Sequence, residues 1–147
     1  MSAEDPSLVE LAAVFPKATI LLNVGVDVIE VDRVKQVYER QKDRFLKRVF
    51  TEEEQEYCFS KSNPYPHLAA RFAAKEAVSK AFSTGIGKLF GWKSSSIYHC
   101  PRMQPLVRLD EQGKALLDAL NGTEVRITLS HTKATAVAVA VLVGKTP

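Results

Sequence analysis

The sequence predicts an α+β fold in which a small antiparallel sheet packs against an alanine-rich helix, and two stretches carry this prediction. In RFAAKEAVSKAF, residues 71–82, small apolar residues recur at helical spacing and form one flat face. In VRITLSHTKATAVAVAVLV, residues 125–143, two runs rich in β-branched residues flank a turn near residues 131–134. The second run places valines on one face and alanines on the other, so we expect its alanine face to receive the helix.

The first part of the chain predicts one strand and two helices. Residues 21–31, LLNVGVDVIEV, carry β-branched side chains at both parities, which is typical of a largely buried strand. Asp32 is placed to cap a following helix that runs through about Arg48. Thr51 with Glu54 fits a capping box that opens a second helix.

The elements after residue 60 are bounded by prolines and glycines. Pro64 and Pro66 separate the second helix from the alanine-rich helix. Gly85 and Gly87 are expected to end that helix, because glycine tolerates the left-handed conformation common at helix ends. The remaining expected elements are a strand at SIYHC, a strand near residues 106–109 and a helix at residues 110–120.

Length and composition indicate one ordinary globular domain. The 147 residues are 46% hydrophobic and 25% charged, with a net charge of +3. The longest apolar run, residues 134–143, is too short to cross a membrane, so we expect no membrane association. We expect a leader at residues 1–24 and a single domain at residues 25–147.

The cysteines and the leader favour an intracellular protein. Cys58 and Cys100 form no CxxC pair, which argues against zinc and favours a reducing compartment. The first twenty residues contain three acids and one lysine, so they resemble neither a secretory signal nor an intact transit peptide. The cytoplasm or the mitochondrial matrix is the expected location.

Two carboxylates stand in unusual positions. Asp27 interrupts the first strand, where a buried charge needs a cation, hydrogen bonds or a metal. Glu76 lies on the alanine-rich helix one turn before Lys80. The plain alternatives are a structural hydrogen bond for Asp27 and a surface salt bridge between Glu76 and Lys80. If the two carboxylates converge, their oxygens suit Mg²⁺ bound together with substrate phosphates.

Two loops are further candidates for binding. STGIGK, residues 83–88, offers two glycines whose backbone could approach a phosphate, flanked by Lys80 and Lys88. This loop follows a helix C-terminus rather than the N-terminus that favours anions, so a simple glycine cap is the alternative. His131 lies in the turn between the last two strands, where it is either functional or merely exposed.

The first predicted helix is strongly basic. Between residues 33 and 48, seven lysines and arginines stand against two acids, a surplus of five in a chain whose total is +3. This helix is either a solvated face or a docking surface for an acidic partner. Nucleic acid is not expected as a partner, because aromatic interleaving and a binding motif are missing.

Four blocks of the sequence resemble the holo-acyl-carrier-protein synthases. In the family's order and spacing, the blocks are GVDVIEVDRV (25–34), RFLKRVFTEEE (44–54), ARFAAKEAVSKAFSTGIGK (70–88) and LSHTKATAVAVAV (129–141). That family transfers 4′-phosphopantetheine from coenzyme A to a serine of an acyl carrier protein and releases adenosine 3′,5′-bisphosphate. The resemblance implies the 4′-phosphopantetheinyl transferase fold and this activity.

The resemblance also implies roles for individual residues. Asp27 and Glu76 would ligate Mg²⁺ on the coenzyme A pyrophosphate, and Glu76 and Lys80 would be catalytic. The serine would lose its proton to metal-bound water or to Glu76. The residues implied for coenzyme A are Arg71, Lys75, Lys80, Gly85, Ile86, Gly87, His131 and Thr132. The residues implied for the acidic carrier protein are Arg33, Arg40 and Arg44.

The family further implies a homotrimer with sites at subunit interfaces and a role in lipid metabolism, such as fatty acid biosynthesis. One departure is the turn at Met103, Gln104 and Pro105, where the family often has Gly-Lys-Pro. The rival interpretation is a non-catalytic adaptor that binds acidic proteins through the basic helix. An adaptor would not bind coenzyme A in the presence of Mg²⁺.

Overall fold

The computed structural model describes residues 5–13 and 19–146. Within these residues the chain forms six helices and five strands. The helices are α1 (Pro6–Ala12), α2 (Val31–Gln41), α3 (Asp43–Val49), α4 (Glu52–Phe59), α5 (Tyr65–Ala81) and α6 (Glu111–Ala119). The strands are β1 (Thr19–Glu30), β2 (Ser95–His99), β3 (Pro105–Leu109), β4 (Gly122–His131) and β5 (Thr135–Lys145).

A three-stranded antiparallel sheet in the order β1-β5-β4 forms the base of the fold. The last strand of the chain, β5, is therefore central, and a short turn joins it to β4 as the sequence predicts. Strands β2 and β3 form a separate antiparallel ribbon. The expected α+β class, with a small antiparallel sheet, is confirmed.

Helix α5 packs on the sheet through small residues on both sides of the contact. Ala73, Ala77, Ala138 and Ala140 are fully buried. Because alanine carries only a methyl group, the helix backbone comes close to the strands. On β1 the space is smaller still, since a Cβ added to Gly25 would stand 2.0 Å from the carbonyl oxygen of Ala77. The predicted packing of alanine face on alanine face is confirmed.

Aromatic side chains cover the opposite side of α5. The ring of Phe72 lies 4.8 Å from the ring of Trp92 and 6.5 Å from that of Phe45, measured between centroids. Trp92 precedes β2 and Phe45 belongs to α3. The helix is thus covered on both sides within one chain, as its two apolar faces predict.

The prediction of one basic helix from Asp32 to about Arg48 is wrong, because this segment forms two helices. It is divided into α2 and α3 by Lys42, which has a left-handed φ of 49°. Asp32 lies inside the first turn of α2 rather than at its cap, which is Glu30. The sequence has no glycine or proline at this break, and apolar residues recur at helical spacing on both sides of it. The pattern therefore predicts one continuous helix.

The C-terminus of α5 also differs from the expectation. The helix ends at Ala81, and Ser83 is the first residue after it with a left-handed φ, 63°. Gly85 follows with a φ of 64°, inside the loop rather than at the helix end. The loop that was expected to hold phosphate therefore begins one turn after Lys80.

The expected leader falls partly on helix α1 and partly on β1. Helix α1 is capped by the Asp5 side chain and buries no residue. Residues 19–24, expected to end the leader, already belong to β1, where Thr19 pairs with Lys145. Residues 1–4 and 14–18 of the expected leader lie outside the described residues. In the described part of the chain, none of the helices is long and apolar enough to cross a membrane.

Replacing Gly25 with alanine should lower the free energy of unfolding by roughly 3 kcal/mol, because the added methyl group meets the backbone of α5. Urea denaturation followed by circular dichroism measures this change. Gly87→Ala is the matched control, since a Cβ at Gly87 meets no atom within 4 Å. Equal stability of the two variants would contradict the close packing of α5 on β1.

Candidate active site

Asp27 and Lys80 form an ion pair at the junction of the sheet and α5. The ammonium of Lys80 donates to Oδ1 of Asp27 and to the carbonyl oxygen of Val26, each at 3.0 Å. The partner of Lys80 is therefore the strand carboxylate, and none of the ion pairs of the described residues joins Lys80 to Glu76. A lysine one turn after Glu76 thus reaches across to the strand.

Glu76 is a half-buried carboxylate that shares this region with Asp27. Burial raises the pKa of Glu76, the negative charge of Asp27 raises it further, and Lys80 works in the opposite direction. The two carboxylates therefore act on each other electrostatically. A second cation placed between them would relieve their repulsion and favour the ionised form of both.

A cavity of about 270 Å³ opens over this pair of carboxylates. Asp27, Glu76 and Arg33 supply its charged lining. Its apolar wall comes from Val34, Val37, Phe45 and Phe72. The cavity thus joins a carboxylate pair to an apolar slot and to the start of the basic helix α2.

The chemistry of these donors fits Mg²⁺ held together with a phosphate ligand. Among the described residues there is no group of three or more His, Cys, Asp or Glu side chains arranged to hold a metal ion. Two carboxylates alone are too few for a closed protein site, but Mg²⁺ commonly binds through one or two carboxylates plus substrate phosphates and water. Asp27 and Glu76 match that pattern.

Lys75 lies in a different place from the other candidates. Its ammonium is 2.7 Å from Oε1 of Glu54, and both side chains are fully buried. It also donates to the carbonyl oxygens of Trp92 and Ser95. Burial lowers the pKa of Lys75, and the Glu54 carboxylate counteracts that effect. All three donors of the ammonium are used inside the chain, so Lys75 presents none to a ligand.

Glu54 completes this buried network. Its Oε1 accepts a hydrogen bond from the backbone of Thr51, which forms the predicted capping box of α4. Its Oε2 accepts from the backbone amide of Ile97 in β2. One carboxylate therefore ties α4, α5 and β2 together, a role that the capping-box signal alone does not show.

Arg71 and His131 belong to a second group, on the other side of α5. Arg71 is 1% exposed, and its guanidinium carbon lies 4.0 Å from the centre of the Tyr57 ring. The imidazole of His131 is exposed, with its centroid 5.1 Å from that of His67. The four rings that gather over Arg71 form what we call the histidine cluster: Tyr57, His67, His99 and His131.

The loop after α5 and the turn before β5 are held by backbone hydrogen bonds. The amides of Gly85 and Gly87 donate to the carbonyl oxygens of Ser79 and Phe90. The hydroxyl of Thr132 accepts from the amide of Thr135 at 3.1 Å. The two glycine amides are therefore engaged within the chain, and contacts of residues 85–87, His131 and Thr132 with a ligand stay a prediction.

The carboxylate pair and His131 stand on opposite edges of the sheet. In the register of the strands, Ala138 of β5 lies between Asp27 on one side and Leu129 on the other. With strands about 4.8 Å apart, and His131 two residues beyond Leu129, the Cα atoms of Asp27 and His131 are roughly 12 Å apart. One chain thus carries two separate polar groups, one around Asp27 and Glu76 and the other around Arg71 and His131.

The three arginines expected to bind a partner are all exposed. Arg33 and Arg40 lie seven residues apart on α2, which places them on one face. Arg44 follows on α3, beyond the break at Lys42. Arg33 also lines the cavity, so the basic surface is continuous with the carboxylate pair.

The chain matches known proteins over most of its length. A model of the 4′-phosphopantetheinyl transferase superfamily matches residues 23–140. The holo-[acyl-carrier-protein] synthase of Chlamydia trachomatis serovar L2 is 52% identical over 121 residues, which cover 82% of this chain and 98% of that protein. The corresponding protein of Caldanaerobacter subterraneus is 42% identical over 121 residues, covering 82% and 94%.

Solved structures agree with these sequence matches. The holo-[acyl-carrier-protein] synthase of Helicobacter pylori in complex with coenzyme A superposes with a TM-score of 0.73 at 31% identity, covering 81% of this chain and 98% of that one. The synthase of Neisseria meningitidis gives a TM-score of 0.78 at 26% identity, covering 84% and 98%. The fold and the matched residues thus define a 4′-phosphopantetheinyl transferase. Within that superfamily, the chain belongs to the holo-[acyl-carrier-protein] synthases and is an enzyme of that class.

Replacing Lys75 with methionine should lower the free energy of unfolding by about 3–5 kcal/mol, because Glu54 would stay buried without its cation. Urea denaturation measures the loss. Arg108→Met is the control: it removes the exposed ion pair between Arg108 and Glu53, which is expected to contribute less than about 1 kcal/mol.

The same variant separates a structural role for Lys75 from a role in ligand binding. A structural role predicts that folded Lys75→Met protein, studied well below its denaturation midpoint, binds coenzyme A nearly as well as the unmodified protein. Unchanged stability together with lost coenzyme A binding would show instead that Lys75 contacts the ligand.

Proposed function

We propose that this protein transfers 4′-phosphopantetheine from coenzyme A to a serine of an apo acyl carrier protein, that the reaction depends on Mg²⁺, and that it releases adenosine 3′,5′-bisphosphate. The single observation that supports this best is the cavity in which Asp27 and Glu76 converge beside Lys80. Relatives that match 82% of this chain and 98% of their own length bear the name of this activity, and a similar synthase was solved with coenzyme A.

In this proposal Asp27 and Glu76 hold Mg²⁺, which would neutralise the pyrophosphate and polarise its phosphorus. The serine oxygen forms a new bond to the phosphorus that carries pantetheine. The bond from that phosphorus to the bridging oxygen breaks, and adenosine 3′,5′-bisphosphate leaves with the electron pair. Two residues of the chain assist: Glu76 offers an acceptor for the serine proton, and the Lys80 ammonium offers charge to the phosphates.

The remaining coenzyme A contacts are proposed for Arg71, His131, Thr132 and the loop at residues 85–87. The loop begins one turn after Lys80, which suits contact with the pyrophosphate. Arg71 and His131 carry positive charge or can acquire it, which suits a phosphate group. We leave Lys75 out of this pocket, because its ammonium is saturated by Glu54 and two carbonyl oxygens.

The carrier protein is proposed to dock on Arg33, Arg40 and Arg44. Complementary charge would steer an acidic carrier protein to this surface. Because Arg33 also lines the cavity, a carrier docked there would bring its serine towards Asp27 and Glu76. The adaptor alternative uses the same arginines but gives no reason for two carboxylates to share a cavity, so we do not favour it.

We also propose that the enzyme works as a homotrimer with its sites between subunits. The outer face of the sheet supports this assembly. Val24, Val26 and Val28 are 47–62% exposed on β1, and their partners across the register are valines of β5. A contiguous apolar sheet face is a typical interaction surface. Assembly would also allow the carboxylate pair of one subunit to meet the Arg71 and His131 group of another.

The proposed role places the enzyme in lipid metabolism, and specifically in fatty acid biosynthesis, within the cytoplasm. The Chlamydia and Caldanaerobacter relatives are bacterial proteins, so the expectation of a mitochondrial location has no support from them. The names of these relatives refer to an acyl carrier protein, which we propose as the acceptor.

The proposed reaction should add one phosphopantetheine group, about 340 Da, to an apo acyl carrier protein incubated with coenzyme A and Mg²⁺. Intact-mass spectrometry measures this gain. Chelation of Mg²⁺, Asp27→Asn and Glu76→Gln should each reduce the rate by roughly 100-fold or more. Glu111→Gln, which changes an almost fully exposed carboxylate, should leave the rate unchanged. Full activity after complete chelation would refute the metal dependence, and absence of coenzyme A binding would favour the adaptor.

Replacing Val26 with lysine should convert the proposed trimer to monomers, because three ammonium groups would be brought to an apolar interface. Sedimentation velocity at micromolar concentration measures the molecular mass. Leu8→Lys is the control, since Leu8 is 60% exposed against 51% for Val26 and lies on α1, which buries no residue. A monomeric unmodified protein, or a trimeric Val26→Lys variant, would contradict the proposed interface.

A further inference from the structure

All three histidines of the chain meet in the histidine cluster. His67 comes from α5, His99 ends β2 and His131 ends β4. Tyr57 of α4 links them, with its ring centroid 4.8 Å from that of His99 and 5.9 Å from that of His67. Four separate elements therefore supply one patch of rings that can each donate or accept a hydrogen bond.

A buried positive charge lies directly beneath this patch. Arg71 is 1% exposed, its Nη2 is 3.3 Å from Nδ1 of His99, and its Nε has no hydrogen-bond partner. None of the ion pairs formed by the described residues includes Arg71. A buried guanidinium without a carboxylate is costly, and its field favours an anion at the nearest accessible surface. That surface is the histidine cluster.

His67 is held neutral in this environment. Burial first, and then the nearby positive groups, lower the pKa of His67 to about 4. The charged or titratable groups that act on it from the surrounding elements are Lys61, Arg71, His99 and His131. All of them oppose its protonation. Within the part of the chain that the structure describes, neither ring nitrogen of His67 forms a hydrogen bond, and its ring contacts are those with Tyr57 and His131.

We infer that His67, beside His131 and above Arg71, binds the phosphate monoester of coenzyme A and takes up a proton from solvent as that group binds. This inference rests on the proposed function. A phosphate monoester carries close to two negative charges near neutral pH, which offset the positive charges that, after burial, disfavour protonation of His67. No covalent bond changes, and the proton returns to solvent when the phosphate leaves.

The new assignment is His67, which lies outside the sequence blocks that indicated a coenzyme A pocket. His131 is exposed and can contact a ligand directly, whereas Arg71 is buried beneath the histidine cluster and acts on the ligand through its charge. His67 lies between them, partly exposed. Tyr57 and His99 are positioning residues in this arrangement, because they stack on each other and hold the guanidinium of Arg71 in place.

Histidine NMR on the full chain tests the inference in the unmodified protein, with one variant used only to assign the signals. The chain has only three histidines, and His67→Phe identifies the His67 signal. Addition of coenzyme A should raise the pKa of His67 by about one unit or more, a tenfold change in proton affinity. Dephospho-coenzyme A, which lacks the 3′-phosphate, should raise it much less. An equal rise with both ligands, or no rise although coenzyme A binds, would overturn the inference.

Calorimetry in buffers of different ionisation enthalpy gives an independent measure. At pH 5, a rise in the pKa of His67 from about 4 to about 5 takes its protonated fraction from about one tenth to about one half. Coenzyme A binding to the unmodified protein should therefore take up roughly 0.4 proton more than binding to His67→Phe or to His67→Gln. Equal uptake by all three proteins would overturn the inference while leaving the proposed function intact. Failure of coenzyme A to bind the unmodified protein at all would overturn both.

Discussion

The close packing of α5 on the three-stranded sheet is the constraint on which the rest of the structure depends. Alanines on both surfaces and Gly25 on β1 let the helix backbone approach the strands. That approach brings Lys80 within hydrogen-bonding distance of Asp27 and places Glu76 beside it. With larger side chains in the contact, the helix would stand farther from β1, and the carboxylate from the strand would no longer share a cavity with the one from the helix.

A second fixed point lies at the middle of α5. The buried pair of Glu54 and Lys75 joins the helix to α4 and to the amide of Ile97 in β2. Such a pair adds little net stability over apolar residues, because both charges lose their hydration. Its geometry is specific, however, because the carboxylate and the ammonium each satisfy several backbone groups. The pair therefore fixes the position of α5 against α4 and the β2-β3 ribbon, one residue from Glu76.

Much of this fold could be predicted from patterns among residues close in sequence. Contacts between residues far apart in sequence could not be predicted in this way. The alanine faces and the capping box at Thr51 are set by residues close in sequence, and both are confirmed. The break at Lys42 carries no glycine or proline, so periodicity could not show it. Lys75 and its partner Glu54 are 21 residues apart in the sequence and belong to different helices, so no local pattern indicates their pairing, and the family resemblance assigned Lys75 to the coenzyme A pocket. The histidine cluster likewise exists only once separate elements have packed.

In the proposed trimer, the valine face of the sheet links folding to protein concentration. The chain is a two-layer structure whose sheet has one covered and one uncovered surface, with Val24, Val26 and Val28 on the uncovered side. Any copy that covers these valines adds its binding free energy to the native state and none to the unfolded state. By mass action, the apparent melting temperature of such a protein rises with its concentration, and dilution removes part of its stability even though every contact within the chain is unchanged.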